Sequence, residues 1–355
     1  MEPTARREVC PECVMTSEVP PGREHLYMNV EPVAHPVAAA QEADARDAAR
    51  RYTRYIIRGP LFGIACQDVG GGHRWRVLTP VTCGVPQDAR DSLNSALWFR
   101  AKDGTDDRAV RRELLAAVAR LEAERVDELT AAGTRYRVMR CDEIIYSNDE
   151  GPEPPRPTDP EPAERDWEPG TRDPEPDAGF VIDHIAATGV MEATERLALI
   201  GLHYRSPRYP ADVRADSRRA LRTHSGTVLL PTAYRVLERT SGGWEPVTVP
   251  LATPHAARRA LVHMLTLLWP TVHELPEVRR AGYARVAAEF RAAGGADAVR
   301  LDDGRELLVV RMRRVVRIGP DGPEAVRPSD EQEDGCGPGR IHPSMNEDGT
   351  VTHET

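Results

Sequence analysis

Apolar side chains along this chain switch between the two-residue period of strands and the period of about 3.6 residues that marks helices. Ala38 to Tyr52 predicts a helix rich in Ala and Arg. Tyr55-Ile-Ile-Arg58 and Phe62-Gly-Ile-Ala-Cys66 have strand character, broken at Gly59-Pro60. Gly70-Gly71-Gly72 predicts a hairpin tip leading into a strand from Arg74 to Leu78. Pro86 opens a helix at its first position, where the missing N–H costs nothing, and Leu93, Ala96 and Leu97 form its buried stripe. Asp106 or Asp107 caps a further helix. Its apolar residues Val110, Leu114, Val118, Leu121, Val126 and Leu129 recur at helical spacing, and Gly133 is expected to end it. Tyr136 to Tyr146 is then extended.

Beyond residue 178 a similar succession returns. Val190 to Tyr204 and Pro210 to His224 read as helices, and Val228–Leu230 and Ala233–Leu237 as strands. Gly242-Gly243 forms a second hairpin tip, and Pro254 to Trp269 a helix capped by Thr253. Leu308, Val310, Met312, Val316 and Ile318 then share one face of a strand, interrupted by Arg314, while Val309, Arg311, Arg313, Val315 and Arg317 share the other. The expected strand is half-buried with an arginine-rich outer face.

The resemblance of the two halves extends to identities. Residues 133–159 align without a gap with residues 304–330, 171 positions later, and Gly133/Gly304, Val138/Val309, Arg140/Arg311, Gly151/Gly322, Pro152/Pro323, Glu153/Glu324, Arg156/Arg327, Pro157/Pro328 and Asp159/Asp330 are identical. Composition alone gives roughly one or two matches over such a length. The same offset pairs Trp98 with Trp269, whereas Pro86 and Leu93 match Pro254 and Leu261 at an offset of 168. The second helix is therefore expected to be longer by about one turn. The fold class expected is α+β: a module of short antiparallel strands packed with two or more helices, duplicated in tandem. The division expected is a disordered or loosely attached arm (1–32), a first module (33–150), an acidic Pro-rich linker (151–178), a second module (179–328) and an acidic tail (329–355). Two like domains or one pseudo-symmetric domain both fit, the second slightly better.

Charge changes this picture in one respect. The net charge is −9, but residues 149–177 carry eleven acids against three arginines and residues 330–355 seven against one, which leaves the modules mildly basic. Proline and acid at this density cannot build a core, so the linker is expected to be extended. An acidic chain without a basic stripe makes nucleic acid an unlikely partner. The longest near-apolar stretch, Leu261 to Trp269, is too short to span a bilayer, and no signal peptide is visible; a cytoplasmic location is expected. Six cysteines without a secretory context argue for free thiols.

Lys102 is the only lysine, which excludes a standard P-loop and a kinase-type lysine. No G-x-S-x-G, H-E-x-x-H or G-x-G-x-x-G occurs, so no cofactor and no catalytic set is expected. Cys10 and Cys13 have the bite of half a zinc site without two further ligands at a usual spacing; two free thiols read better. The remaining candidates are the twice-written Arg-Pro-[Ser/Thr]-Asp, with Arg156 and Asp159 or Arg327 and Asp330 offering a guanidinium and a carboxylate to a ligand. Arg311 and Arg313 on the arginine face join them as candidate binding residues. The same stretches also serve simply to close each module, and the recurrent Trp75, Trp98, Trp244 and Trp269 read as core anchors.

Asp88 to Asp103, the Arg58-Gly-Pro-Leu-Phe-Gly63 turn, and Gly319-Pro-Asp-Gly-Pro-Glu324 followed by Arg327-Pro-Ser-Asp330 resemble an uncharacterised actinobacterial, streptomycete-type family of unknown function. That resemblance implies a cytoplasmic actinobacterial protein and agrees with the arginine bias, but it brings no activity with it. The function expected is that of a non-enzymatic protein whose paired modules bind another macromolecule or each other. An enzyme or small-ligand binder with its site between the modules is the alternative, and weak nucleic-acid association a further one.

Overall fold

A computed structural model describes residues 27–32, 35–168, 173–331 and 337–352. Cys10 and Cys13 lie outside the described residues. The elements run β1 (Asn29–Val30), α1 (Pro36–Arg51), β2 (Arg54–Asp68), β3 (Trp75–Cys83), α2 (Pro86–Asp103), α3 (Arg108–Ala123), β4 (Glu128–Ala131) and β5 (Thr134–Ser147). They continue with β6 (Val181–Ile182), β7 (Ala187–Thr188), α4 (Val190–Leu199), α5 (Ala211–Thr223), β8 (Gly226–Leu229), β9 (Ala233–Thr240), β10 (Gly243–Pro246) and α6 (Pro254–His263). A π-helical turn (Met264–Leu268) leads into α7 (Trp269–Val272), followed by α8 (Glu277–Ala292), β11 (Ala298–Arg300), β12 (Glu306–Gly319), β13 (Gly322–Pro323), β14 (Ser344–Met345) and β15 (Val351–Thr352). The class is α+β.

Local chemistry accounts for the boundaries. The Asp107 carboxylate accepts from the amides of Ala109 and Val110 and so starts α3; the Thr253 hydroxyl accepts from Ala256 and starts α6. Pro86 and Pro254 occupy first-turn positions, where no N–H is needed. Two expected boundaries before residue 134 need correction, and the helix expected from Val190 to Tyr204 ends at Leu199. The Gly59-Pro60 break is a bulge inside one continuous strand: β2 pairs with β5 from Arg54↔Ser147 to Asp68↔Thr134, and the register shifts between Ile57 and Gly59. Gly59, at φ +106, supplies a turn of backbone that residues with a Cβ rarely adopt. The helix expected to reach Gly133 ends at Ala123; Val126 is in the following loop and Leu129 points inward from β4. Gly133, at φ +72, turns the β4–β5 hairpin instead.

The antiparallel order β10-β9-β12-β5-β2-β3-β6 makes a single eleven-stranded sheet, with β4, β8, β11 and β13 joined at its sides. The long strands β5 and β12 meet at its centre through Arg313↔Ile144, Arg314↔Glu143, Val315↔Asp142 and Val316↔Cys141. Glu143 and Arg314, which face one another there, are themselves 171 positions apart. Strand, strand, helix, helix, short strand, long strand is the chain order on both sides of that seam. On one side Ile64, Leu93, Leu97, Leu114, Leu121 and Val138 pack α2 and α3 on the sheet. On the other Val236, Leu261, Leu265, Tyr283, Phe290 and Val309 pack α6 and α8. A third cluster, with Val77, Val81, Met139, Cys141, Val228 and Val316, ties the two sides together.

The helix of the second side is longer by one residue rather than one turn: Pro86–Asp103 answers Pro254–Val272, and the extra residue goes into the π-helical turn. Trp98 and Trp269 consequently occupy different helical positions. Trp98 stacks on His342 and donates to the Pro343 carbonyl, whereas Trp269 packs on Tyr283 beneath Arg305. Trp75, Trp98 and Trp269 are buried, and Trp244 is partly so.

Candidate functional site

β12 sets up the site through its arginine face. Its alternate residues Arg311, Arg313 and Arg317 lie on one face, and that face is covered rather than solvated: Arg317 is buried against the carbonyls of Ile200, Leu202 and His224. Arg311 donates to Asp159 (3.1 Å) and to the Thr232 hydroxyl (3.0 Å). Arg313 donates to Glu195 from α4 (3.0 Å) and to the same hydroxyl (2.8 Å).

The acidic stretches after β5 and β12 are extended, but they pack tightly, each on the opposite side of the seam. Arg311 N–H donates to the Glu153 carbonyl (2.9 Å), and Arg140 N–H to the Glu324 carbonyl (2.8 Å). Arg311 pairs with Asp159, and Arg140 with Asp330 (2.9 Å). Arg258 reaches Asp297 and Glu161, as Arg90 reaches Asp127 and Glu331. Within each stretch the arginine amide donates to the aspartate three residues on, Arg156 to Asp159 (2.8 Å) and Arg327 to Asp330 (2.9 Å). The Arg156 and Arg327 guanidinium groups bond Glu153 and Glu324. The Arg-Pro-[Ser/Thr]-Asp stretches thus act as straps whose side chains are largely engaged by the protein itself.

The structure brings four of the six candidate residues together. Arg156, Asp159, Arg311 and Arg313 line a cleft of about 880 Å³ whose walls include α1, α4 and the first strap. Arg327 and Asp330 do not reach it; they belong to a second polar cluster with Arg140, Asp142 and Glu324. That cluster is closed. Tyr204 inserts its phenol so that the hydroxyl donates to Asp142 (2.8 Å) and accepts from Arg140 (3.2 Å), and Arg140 lies over its ring. Arg140, Glu324, Arg327 and Asp330 stand 171 positions from Arg311, Glu153, Arg156 and Asp159. Two like polar clusters therefore flank the seam, one plugged and one open.

Electrostatics in the open cleft are mixed. Burial would raise the Glu195 carboxyl, but the Arg313 guanidinium outweighs it and holds the group below the usual carboxylate range. Burial pushes the Tyr146 hydroxyl well above its ordinary value. The lining holds Glu42, Glu153, Asp159, Glu192 and Glu195 against three arginines, and apolar wall from Ala38, Ala45, Met191 and Leu199. Among the described residues its lining has no serine, cysteine, histidine or lysine. Among the described residues no group of three metal-ligating side chains could hold a metal ion, and no helix is long and apolar enough to cross a membrane.

Residues 35–333 match a family described as a family of unknown function, DUF5954. The chain belongs to that family. No curated protein and no solved structure matches it. The matched span begins at the start of α1 and ends just past the second strap, so the straps and the cleft of this chain lie within it.

Several residues of this site escape a reading of sequence alone. Glu195 and Tyr204 lie in a segment without a counterpart in the first half, and Thr232 carries no motif. Glu153, Glu324 and Arg140 do carry a signal, since each is part of an identical pair 171 positions apart.

Proposed function

We propose that this protein is a non-enzymatic, cytoplasmic binding protein of actinobacterial type that holds a small molecule in the cleft between its two halves. In this reading one strand-and-helix unit was duplicated, giving modules at about 33–150 and 179–328, and the two satisfy one another within one chain through the crossed straps. Support comes from the repeated element order, from the reciprocal Arg140–Asp330 and Arg311–Asp159 pairs, and from the sheet register around Glu143 and Arg314.

One observation carries the functional part: of two like polar clusters, the one around Arg140 is filled by the chain's own Tyr204, and the one around Arg311 opens into the cleft. Paired guanidinium and carboxylate groups beside an alanine-rich wall suit a ligand with an apolar body and both donors and acceptors. Neither stretch of the acidic surface gives nucleic acid a footing.

A thermal-shift screen of metabolites tests this. Hits that stabilise the wild type should lose most of their shift in Ala198→Trp, which fills the cleft from an exposed position on α4, and in Arg156→Ala. Arg327→Ala, on the closed cluster, should leave ligand shifts in place. A screen without hits, or hits indifferent to Ala198→Trp, sinks the proposal.

A further inference from the structure

A second, smaller pocket of about 300 Å³ lies on the helix-covered side of the first half, apart from the cleft. Its floor is the sheet where Cys66 of β2 stands between Tyr136 of β5 and Arg76 of β3. Arg100 of α2 reaches in from above and donates to the Tyr136 hydroxyl; Thr134 and Asp68 complete the polar lining, with Leu97 as apolar wall.

The equivalent place in the second half is full. Leu307 is paired opposite Glu238 as Tyr136 is opposite Cys66, and Tyr136 and Leu307 are 171 positions apart. There the Glu238 carboxylate receives two bonds from Arg305 (2.6 and 2.7 Å), and the Arg305 guanidinium stacks on Trp269 at 3.9 Å. Arg305 stands 171 positions after Thr134. The first half thus has a threonine and a cysteine where the second has an ion pair, and the lost volume is the pocket.

The charge left behind is one-sided. Most buried arginines of this protein meet a carboxylate, as Arg140, Arg258, Arg314 and Arg327 do. Arg76, exposed at the rim of the pocket, and Arg100, half-buried above it, meet no carboxylate within ion-pair distance among the described residues. Burial pushes the Cys66 thiol up; of the charges around it, Arg76 and Arg100 act against that rise and Asp68 adds to it. Two guanidinium groups and one carboxylate around a half-enclosed space favour an anion, and a guanidinium fork matches the oxygens of carboxylate and phosphate.

We infer that this pocket binds a small oxyanion, a carboxylate or phosphate group on a short molecule, between Arg76 and Arg100. The anion takes the part that the Glu238 carboxylate plays in the other half. The Thr134 hydroxyl offers it a further donor, and Leu97 and Cys66 offer contact to a short apolar tail.

The test is thermal unfolding of the full chain in sodium phosphate and in sodium propionate, each against sodium chloride of equal ionic strength. With a dissociation constant of about 1 mM, about 20 mM of the bound anion raises the Tm by about 2–4 °C. Whichever of the two anions stabilises identifies the headgroup. Arg76→Gln changes an exposed side chain and should cut the shift by more than half without altering the fold; Arg100→Gln should do likewise. Cys66→Glu supplies the missing carboxylate from within, so it should raise the Tm in chloride and abolish the response to either anion. No shift with either anion in the wild type overturns the inference, as does a shift that survives both arginine substitutions. Ala198→Trp, which blocks the cleft, should leave this response unchanged, so the two sites stand or fall separately.

Discussion

Replacing Arg314 with methionine is expected to lower the unfolding free energy by about 3–5 kcal/mol. Arg314 is completely buried, as is its partner Asp177, at 2.7 Å. The Nη1 that meets Asp177 also donates to the Val81 carbonyl (3.2 Å) and Nη2 donates to the Pro231 carbonyl (3.0 Å), so one side chain fixes β3, the loop before β9 and the end of the strip that follows the first strap. Methionine keeps much of the volume but leaves the Asp177 carboxylate in the interior with only the Val81 amide to meet it. Breaking one side of a buried pair costs far more than the pair contributes, because the remaining charge has lost both water and partner. The double variant Arg314→Met/Asp177→Leu should recover most of the loss. Urea unfolding midpoints give both numbers; a single variant that costs under about 1 kcal/mol would contradict an uncompensated buried charge.

Gly322→Ala should be nearly as damaging, at about 2–6 kcal/mol, the sum of about 1–3 for backbone strain and about 1–3 for overpacking. Gly322 has φ +106, and a Cβ there would run into the indole of Trp75, within 2.7 Å of its Cε2. The indole cannot retreat: it is buried, with the guanidinium groups of Arg135 and Arg137 over its ring at 5.1 and 4.8 Å. Gly151 occupies the matching corner of the other strap, at φ +150, and its nearest neighbour is Trp244 at 3.9 Å. Gly151→Ala therefore meets strain without collision, and its cost should be the smaller by at least about 1 kcal/mol. Equal costs at the two glycines would mean that Trp75 yields.

Much of the fold is legible because its signals are local. Asp107, Thr253, Pro86 and Pro254 mark helix starts by their own chemistry, and Leu93, Leu97, Leu114 and Leu121 mark buried stripes by spacing. Val126 and Leu129 mislead for the same reason: one falls in a loop and the other on β4, yet both keep helical spacing because both face the core beside α3. The arginines of β12 show the limit of a two-residue period. A guanidinium paired with Asp159 or Glu195 under a covering helix looks, in sequence, like one bathed in water. The linker was legible as extended, but not as packed, because Glu153 and Asp177 find their partners across the seam, at Arg311 N–H and Arg314. For the cleft, identity at the 171-residue offset pointed to Arg156, Asp159 and Arg311, while the plug of its counterpart, Tyr204, came from a segment with nothing to compare.

A shared central sheet and straps that each grip the opposite half leave neither half able to unfold while the other stays intact. Differential scanning calorimetry of the full chain measures this directly. A single transition whose calorimetric and van't Hoff enthalpies agree is the expected result. Two separable transitions, or a van't Hoff enthalpy near half the calorimetric one, would contradict the crossed arrangement and, with it, a cleft held open between the halves.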